Sequence, residues 1–593
     1  MLPGLNAMGF LVSRSNRLFH SRRYSAWRTY ACSPFITRSR TVFTLRVWTA
    51  LAVLLVPLTL ASQNPPHTPP IHVTTHLVQF GVIVRDSNGP VKNLTKDDFV
   101  VLDRGKSQPI NVFSAESVGP VKATGSAQQP SQPLPQNTFS DLPQYETSKP
   151  RSVTIVLLDN LNTLSGSAPQ PYETTPFWLE DHALANAKQH LLEFLTQLDP
   201  NDRLAIYGLT DTVHVLCDFT CNRAQLLAVV SKYDPTSKTQ RETVESGTFK
   251  LPNASAEFNQ AIDEDSLRLA AQNNQARADT TMSALAAIAS HVADIPGRKN
   301  LLWLTANLPF SGQAIARILA RANIAAYPVD ARGLLPRLPS VSTEVDAVKA
   351  AESSEVRSAL GIDVNPVQTD NPIGVDTMQK MADDTGGRAF VNTNDLTGAI
   401  REAVEDSSVT YTLGFYIDQS SLDGKFHELK VQVKRPGLTV RYPKGYFALK
   451  DTPATDDERH NSVLVALKSP LDSSAIPLQI KVDRMTEPSP NSLSLQGSIA
   501  IQDLHLEQSG EIRTGALDFM VIEQDQTGKV LRELTNHINL HFTEPQYAAV
   551  LQSGINFRKS VQPLAGTTTL RVLVQDPATA AIGSLIIPIS QLK

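Results

Sequence analysis

The sequence predicts α/β plus all-β architecture: a doubly wound, mostly parallel sheet with flanking β-sandwich modules. Three observations carry this. Apolar runs without alternation occupy 153–158, 300–305 and 324–329, as in strands buried on both faces of a parallel sheet. Stretches with helical periodicity follow them, and alternating strands with amphipathic helices is the signature of an α/β domain. Outside this region, before 115 and after 409, short segments alternate apolar and polar positions, which suits antiparallel sheets.

The elements follow in order. The run at 153–158 ends in Asp159, Asn160, Asn162 and Thr163, placed where open α/β sheets collect ligands, beyond the carboxyl ends of the strands. A helix is expected over 177–198, with Leu184, Ala187, Leu191, Leu192 and Leu195 on one stripe. Then come a strand at 204–209, a hairpin partner at 213–216, a polar insertion at 234–256, and two helices at 261–273 and 281–292. The buried strand at 300–305 leads to a helix capped by Ser311 and a third buried strand ending at Asp330. A second polar insertion covers 331–372. Helices at 376–384 and 395–405 complete the domain around the tight turn Gly386-Gly387.

The expected domains are a signal segment at 1–61, a β segment at 72–115, a Pro/Gln/Ser-rich linker at 116–149, the α/β domain at 150–407, a β segment at 408–449, and an all-β module at 463–593. Neither short β segment has strands enough to bury a face alone. The alternating Val78, Phe80 and Val82 of one and Leu429, Val431 and Val433 of the other predict that 72–115 and 409–447 form one sandwich. The α/β domain is then inserted between its halves.

At 593 residues, with 41% hydrophobic and 19% charged residues, the chain is globular and too long for one core. Its first 61 residues carry eight arginines and no lysine, aspartate or glutamate, and close on an apolar run at 47–60 before Ala61-Ser62. That order predicts a secretory signal, and the run is short for a membrane span. A true start near Val42 would account for the long basic region, whose composition also suits an organellar transit peptide. Export implies periplasm, cell surface or extracellular space, with no membrane span in the mature chain. Removing the eight arginines leaves 46 basic against 58 acidic residues, a net of −12 that disfavours nucleic acid. Cys32 leaves with the signal. Cys217 and Cys221 remain, as a local disulfide or two free thiols. His214 and Cys217 as base and nucleophile would point to opposite faces of an extended segment, so no catalysis is assigned to them.

Several spaced blocks resemble the von Willebrand factor A-related proteins of acidobacteria: L-D-N-L-N-T at 158–163, P-G-R-K-N-L-L-W-L-T at 296–305, A-N-I-A-A-Y-P-V-D-A-R-G-L at 322–334, T-G-G-R-A-F at 385–390, Y-T-L-G-F-Y at 411–416 and K-F-H-E-L-K-V-Q-V-K-R-P-G at 425–437. The resemblance spans residues 72–450. It implies a von Willebrand A-like domain with a metal-dependent adhesion site, in which oxygens hold Mg²⁺ or Mn²⁺ and a partner's carboxylate completes the shell. On the family's pattern Asp159, Thr163 and Thr281, or its neighbour Thr280, are the matching ligands. Leu161 and Ala306 stand where two further oxygens belong, with Asn160, Asn162, Asn307 and Asp330 as possible compensating ligands. The site is therefore degenerate, and no cofactor is expected. The alternative for Asp159 and Thr281 is structural, a strand-to-helix turn and a helix cap. With no recognised hydrolase, protease or phosphate-loop motif, the expectation is a non-enzymatic, exported, adhesion-like protein that binds a protein partner. An envelope scaffold without a sheet-edge ligand is the alternative, and an enzyme of unrecognised type is the third.

Overall fold

The computed structural model describes residues 75–117, 134–141, 153–163, 183–198, 202, 204–233, 256–295, 297–306, 308, 312–334, 374–449, 452–485 and 492–592. All belong to the compact unit His72–Lys593. The signal segment and Asn307 lie outside the described residues, as do most of the two polar insertions. The chain is mixed α/β and rich in strands.

Its central sheet runs Ile324–Asp330, Lys299–Thr305, Val153–Asp159, Leu204–Leu209, Val213–Cys217. The first four are mutually parallel, and the last pairs antiparallel at the edge. All four parallel strands are buried along their whole length, which is why their sequences do not alternate. Side chains of opposite parity feed two cores. Ile155, Leu157, Leu301 and Trp303 pack with Leu285, Ile288, Ile315 and Met378 on one face. Val156, Leu158, Leu302 and Leu304 pack with Leu184, Leu191, Leu195 and Ile400 on the other.

The two helices expected at 261–273 and 281–292 are one, Ala256–His291. The intervening residues are mainly polar and none is buried, so apolar periodicity lapses there. They hold neither glycine nor proline, however, and Gln275, Ala276 and Arg277 favour helix, so nothing breaks the backbone ladder.

On the amino-terminal side, Thr75–Asp86 pairs antiparallel with Val409–Asp418, from Thr75 opposite Asp418 to Val82 opposite Tyr411. Phe99–Asp103 pairs with Phe426–Val433. Phe80, Val82, Phe99, Val101, Tyr411, Leu413, Leu429 and Val431 make their common core. Tyr411 staples it by donating to the Val91 carbonyl (2.9 Å) and accepting from the Leu94 amide (3.1 Å).

The stretch read as a linker at 116–149 is not wholly a linker. Thr138–Ser140 adds an antiparallel edge strand to Leu478–Met485, and buried Asp141 accepts the Leu478 amide at 2.8 Å. Three residues are too short for any periodicity to reveal. Nor is the carboxyl-terminal module all β. Asp456–Lys468 is a helix started by a capping box in which Thr455 and Glu458 serve each other's backbone amides. Glu544–Ser553 is another, with proline in its first turn. The strands around them form sheets that share the core of Ile480, Leu495, Leu517, Val521, Val572 and Leu585.

A buried histidine fastens the α/β region to this module. His291, the last residue of the long helix, reaches the Asp472 carbonyl through Nδ1 (2.7 Å) and the Asp218 carboxylate through Nε2 (3.1 Å). Burial opposes charge on both side chains, yet their hydrogen bond and mutual attraction prevail, raising the His291 pKa and lowering that of Asp218. Asp472, its other acidic neighbour, is pushed up to about 6, chiefly by burial. A raised histidine contributes stability that is present below its ordinary pKa and lost as pH rises through the raised value. The lowered aspartate contributes above its ordinary pKa and loses it as pH falls. His291→Gln should therefore cost more stability at about pH 5.5 than at about pH 9, checked by denaturant titration of both proteins at both values.

Candidate functional site

The carboxyl end of Val153–Asp159 turns at once. Asn160 and Leu161 both donate their amides to the Leu209 carbonyl of the neighbouring strand, at 2.9 and 3.1 Å. Asp159 Oδ1 accepts the Asn162 amide at 2.9 Å, a short polar side chain closing its own turn. This geometry sends Leu161 towards the apolar layer beneath the helices, where it packs against the core. A hydroxyl at that position would lose the contact. Asp159, Asn160, Asn162, Thr163 and Thr281 are all fully buried at this edge.

The residues matching the adhesion-site pattern thus lie together, but their oxygens face N–H groups. Asp159 Oδ2 accepts Asn162 Nδ2 (2.9 Å) and the Trp303 indole (2.8 Å), and Thr305 adds a further side-chain hydrogen bond. Thr281 donates its proton to the Arg277 carbonyl (2.8 Å), so its oxygen accepts the second N–H of Asn162 Nδ2 (3.0 Å). Thr163 Oγ1 accepts the Ala306 amide at 3.2 Å. Burial pushes the Asp159 pKa up, and the hydrogen bonds from Asn162, Trp303 and Thr305 offset part of that.

Two of the proposed compensating ligands, Asp330 and Asn160, are engaged elsewhere. Arg332 grips Asp330 with Nε on Oδ1 (2.8 Å) and Nη2 on Oδ2 (2.9 Å), while the Arg332 amide takes Oδ1 as well. Asn160 Oδ1 accepts the Tyr233 hydroxyl at 3.2 Å. As arranged, the set does not fit Mg²⁺, which requires oxygen lone pairs aimed at one point rather than lone pairs already filled by N–H donors. Among the described residues no group of three or more His, Cys, Asp or Glu side chains is placed to hold a metal ion.

Cys217 and Cys221 are joined in a disulfide. This closes the loop that offers Asp218 to His291 and leaves no thiol for the pairing with His214. Trp303 is the site residue that sequence reasoning missed. The available signal was an indole inside a strand buried on both faces, since such an N–H needs an acceptor. Trp303→Phe keeps most of the volume and removes one donor to a buried carboxylate. It should lower stability by about 1–3 kcal/mol in denaturant titrations monitored by circular dichroism.

No family model and no curated protein matches the chain. Among solved structures, an aerotolerance-related membrane protein from Bacteroides fragilis aligns at 13% identity over 43% of this chain and 98% of its own, with a TM-score of 0.22. The conserved hypothetical protein BatB from Bacteroides thetaiotaomicron gives the same values. Proximal thread matrix protein 1 from the mussel byssus aligns at 9% identity over 43% of this chain and 48% of its own, with a TM-score of 0.23. Similarities this slight establish neither a shared fold nor a shared activity.

Proposed function

We propose that the chain is an exported, non-enzymatic protein of the von Willebrand factor A-related type, whose doubly wound α/β domain offers its loop edge to a protein partner without a cation. The carrying observation is the strand order. Val153–Asp159 and Lys299–Thr305 are adjacent and parallel, and their chains leave towards opposite faces, the switch-point arrangement at which open α/β sheets bind ligands. The filled oxygens of Asp159, Thr163 and Thr281 favour contact through the surrounding loops over capture of a carboxylate on a metal.

Export rests on the acid-free, arginine-bearing start and the apolar run at 47–60. Among the described residues no helix is long and apolar enough to cross a membrane. An envelope scaffold is the second reading, favoured by the buried polar joints that hold the α/β region to β modules on both sides.

The test uses the full chain as bait in an envelope extract, with and without chelator. The expected result is one partner retained equally in both, and reduced at least tenfold by Asp211→Arg on the exposed turn beside this edge. Loss of the partner on chelation would restore the metal-dependent site. No specific retention would favour the scaffold.

A further inference from the structure

We infer that the carboxamide of Asn162 does the work of a cation, so that the edge holds a latent metal site closed by one side chain. Three of its features support this.

The first is position. Asn162 Nδ2 lies 2.9 Å from Asp159 Oδ2 and 3.0 Å from Thr281 Oγ1, bridging the carboxylate of one element and the hydroxyl of another across 119 residues of sequence. Asp159 and Thr281 are among the residues that would hold a divalent ion in an adhesion-type site. The second is proton bookkeeping. The Thr281 proton is committed to the Arg277 carbonyl, and the Asp159 carboxylate has none to give when ionised, so only a donor or a cation can sit between them. Turning the amide over would set Asn162 Oδ1 against two acceptors, which fixes Nδ2 as the bridging atom. The third is cost. Asn162 Oδ1 is buried with no hydrogen-bond partner. Leaving an amide oxygen so is unfavourable, and the side chain adopts this pose because its two N–H groups satisfy a buried charge and a buried hydroxyl.

The consequence is specific. An amide carries dipoles where the ion carries two charges, so the wild-type site is complete without metal. Replacing the amide by a carboxylate removes both N–H donors and places a second anion against Asp159. Two carboxylates and the Thr281 hydroxyl on one point then form an oxygen set that a hard cation satisfies. This inference rests on side-chain geometry alone and is independent of whether the edge binds a protein.

The experiment compares the full wild-type chain with Asn162→Asp and Asn162→Ala, using Mn²⁺ as probe. Binding is read by the loss of the free-ion paramagnetic resonance signal, and stability by thermal unfolding with and without the ion. Wild type should show no saturable binding and no shift in unfolding temperature. Asn162→Asp should bind at least tenfold more tightly than wild type and regain, with Mn²⁺, stability lost in its absence. If it folds only when the ion is present, the inference stands equally. Asn162→Ala should fold less stably and show a smaller response to Mn²⁺. Saturable binding by wild type, or a lack of response in both variants, would overturn the inference. Either result leaves the partner-capture test to be decided separately.

Discussion

The arrangement of this molecule depends on one buried carboxylate, Asp406, at the end of the helix Leu396–Glu405. It is fully buried and accepts Arg85 from the first strand at 2.6 Å, Arg441 from the strand Thr439–Arg441, and the Tyr327 hydroxyl from the central sheet at 2.9 Å. Glu402, one turn earlier, takes Arg441 and Arg388. Burial opposes charge on Arg85 and Arg441, but the attraction of Asp406 and Glu402 prevails and raises both. Such a cluster adds little net stability relative to apolar packing, because desolvation consumes the Coulomb gain. Its effect is directional. Removing one partner strands a buried charge, at a cost of about 3–5 kcal/mol, so the sandwich and the α/β region are held in one mutual orientation.

The same seam contains several of the sequence blocks on which the resemblance was drawn. Arg298 donates to the Gly386 carbonyl (2.6 Å) and the Tyr327 hydroxyl (3.2 Å), and its stem lies against Gly81 of the first strand. Gly386 has φ of +77°, and a Cβ there would sit 2.5 Å from the Pro443 nitrogen. A Cβ on Gly387 would fall 1.8 Å from the Ala326 carbonyl oxygen, which no rotamer change relieves. The motifs Gly-Arg-Lys and Thr-Gly-Gly-Arg are thus parts of a joint. A resemblance built on them reports how the domains are mounted more than what they bind.

What was legible in the sequence follows from what each signal depends on. Runs such as V-T-I-V-L-L announce strands because burial on both faces is a local property of composition. The cross-pairing of Phe80 and Val82 with Leu413 and Tyr411 was foreshadowed by alternation that had no local partner. The lost oxygens at Leu161 and Ala306 were visible too. The replacement was not, since the donors to Asp159 include Trp303, inside the neighbouring buried strand, and Asn162, whose residue type suggests a ligand oxygen rather than a donor. Asp406 and Arg298 also escaped notice. Their partners lie as far as 321 residues away in sequence, and nothing in a charged residue's own neighbourhood says which distant charge it will meet.

Asp159 and Asp406 solve one problem in two ways. A buried carboxylate must be offset by a metal, by a fixed cation, or by enough N–H dipoles. Asp406 uses guanidinium groups, which make it a mechanical anchor between modules. Asp159 uses dipoles alone, from an indole, a backbone amide, a carboxamide and the Thr305 hydroxyl, and burial still outweighs them enough to raise its pKa. That residual penalty is what a divalent cation would remove in an adhesion-type site. In this chain it stays as a cost of holding the turn, while the joint at Asp406 fixes the orientation of the sheet relative to the sandwich.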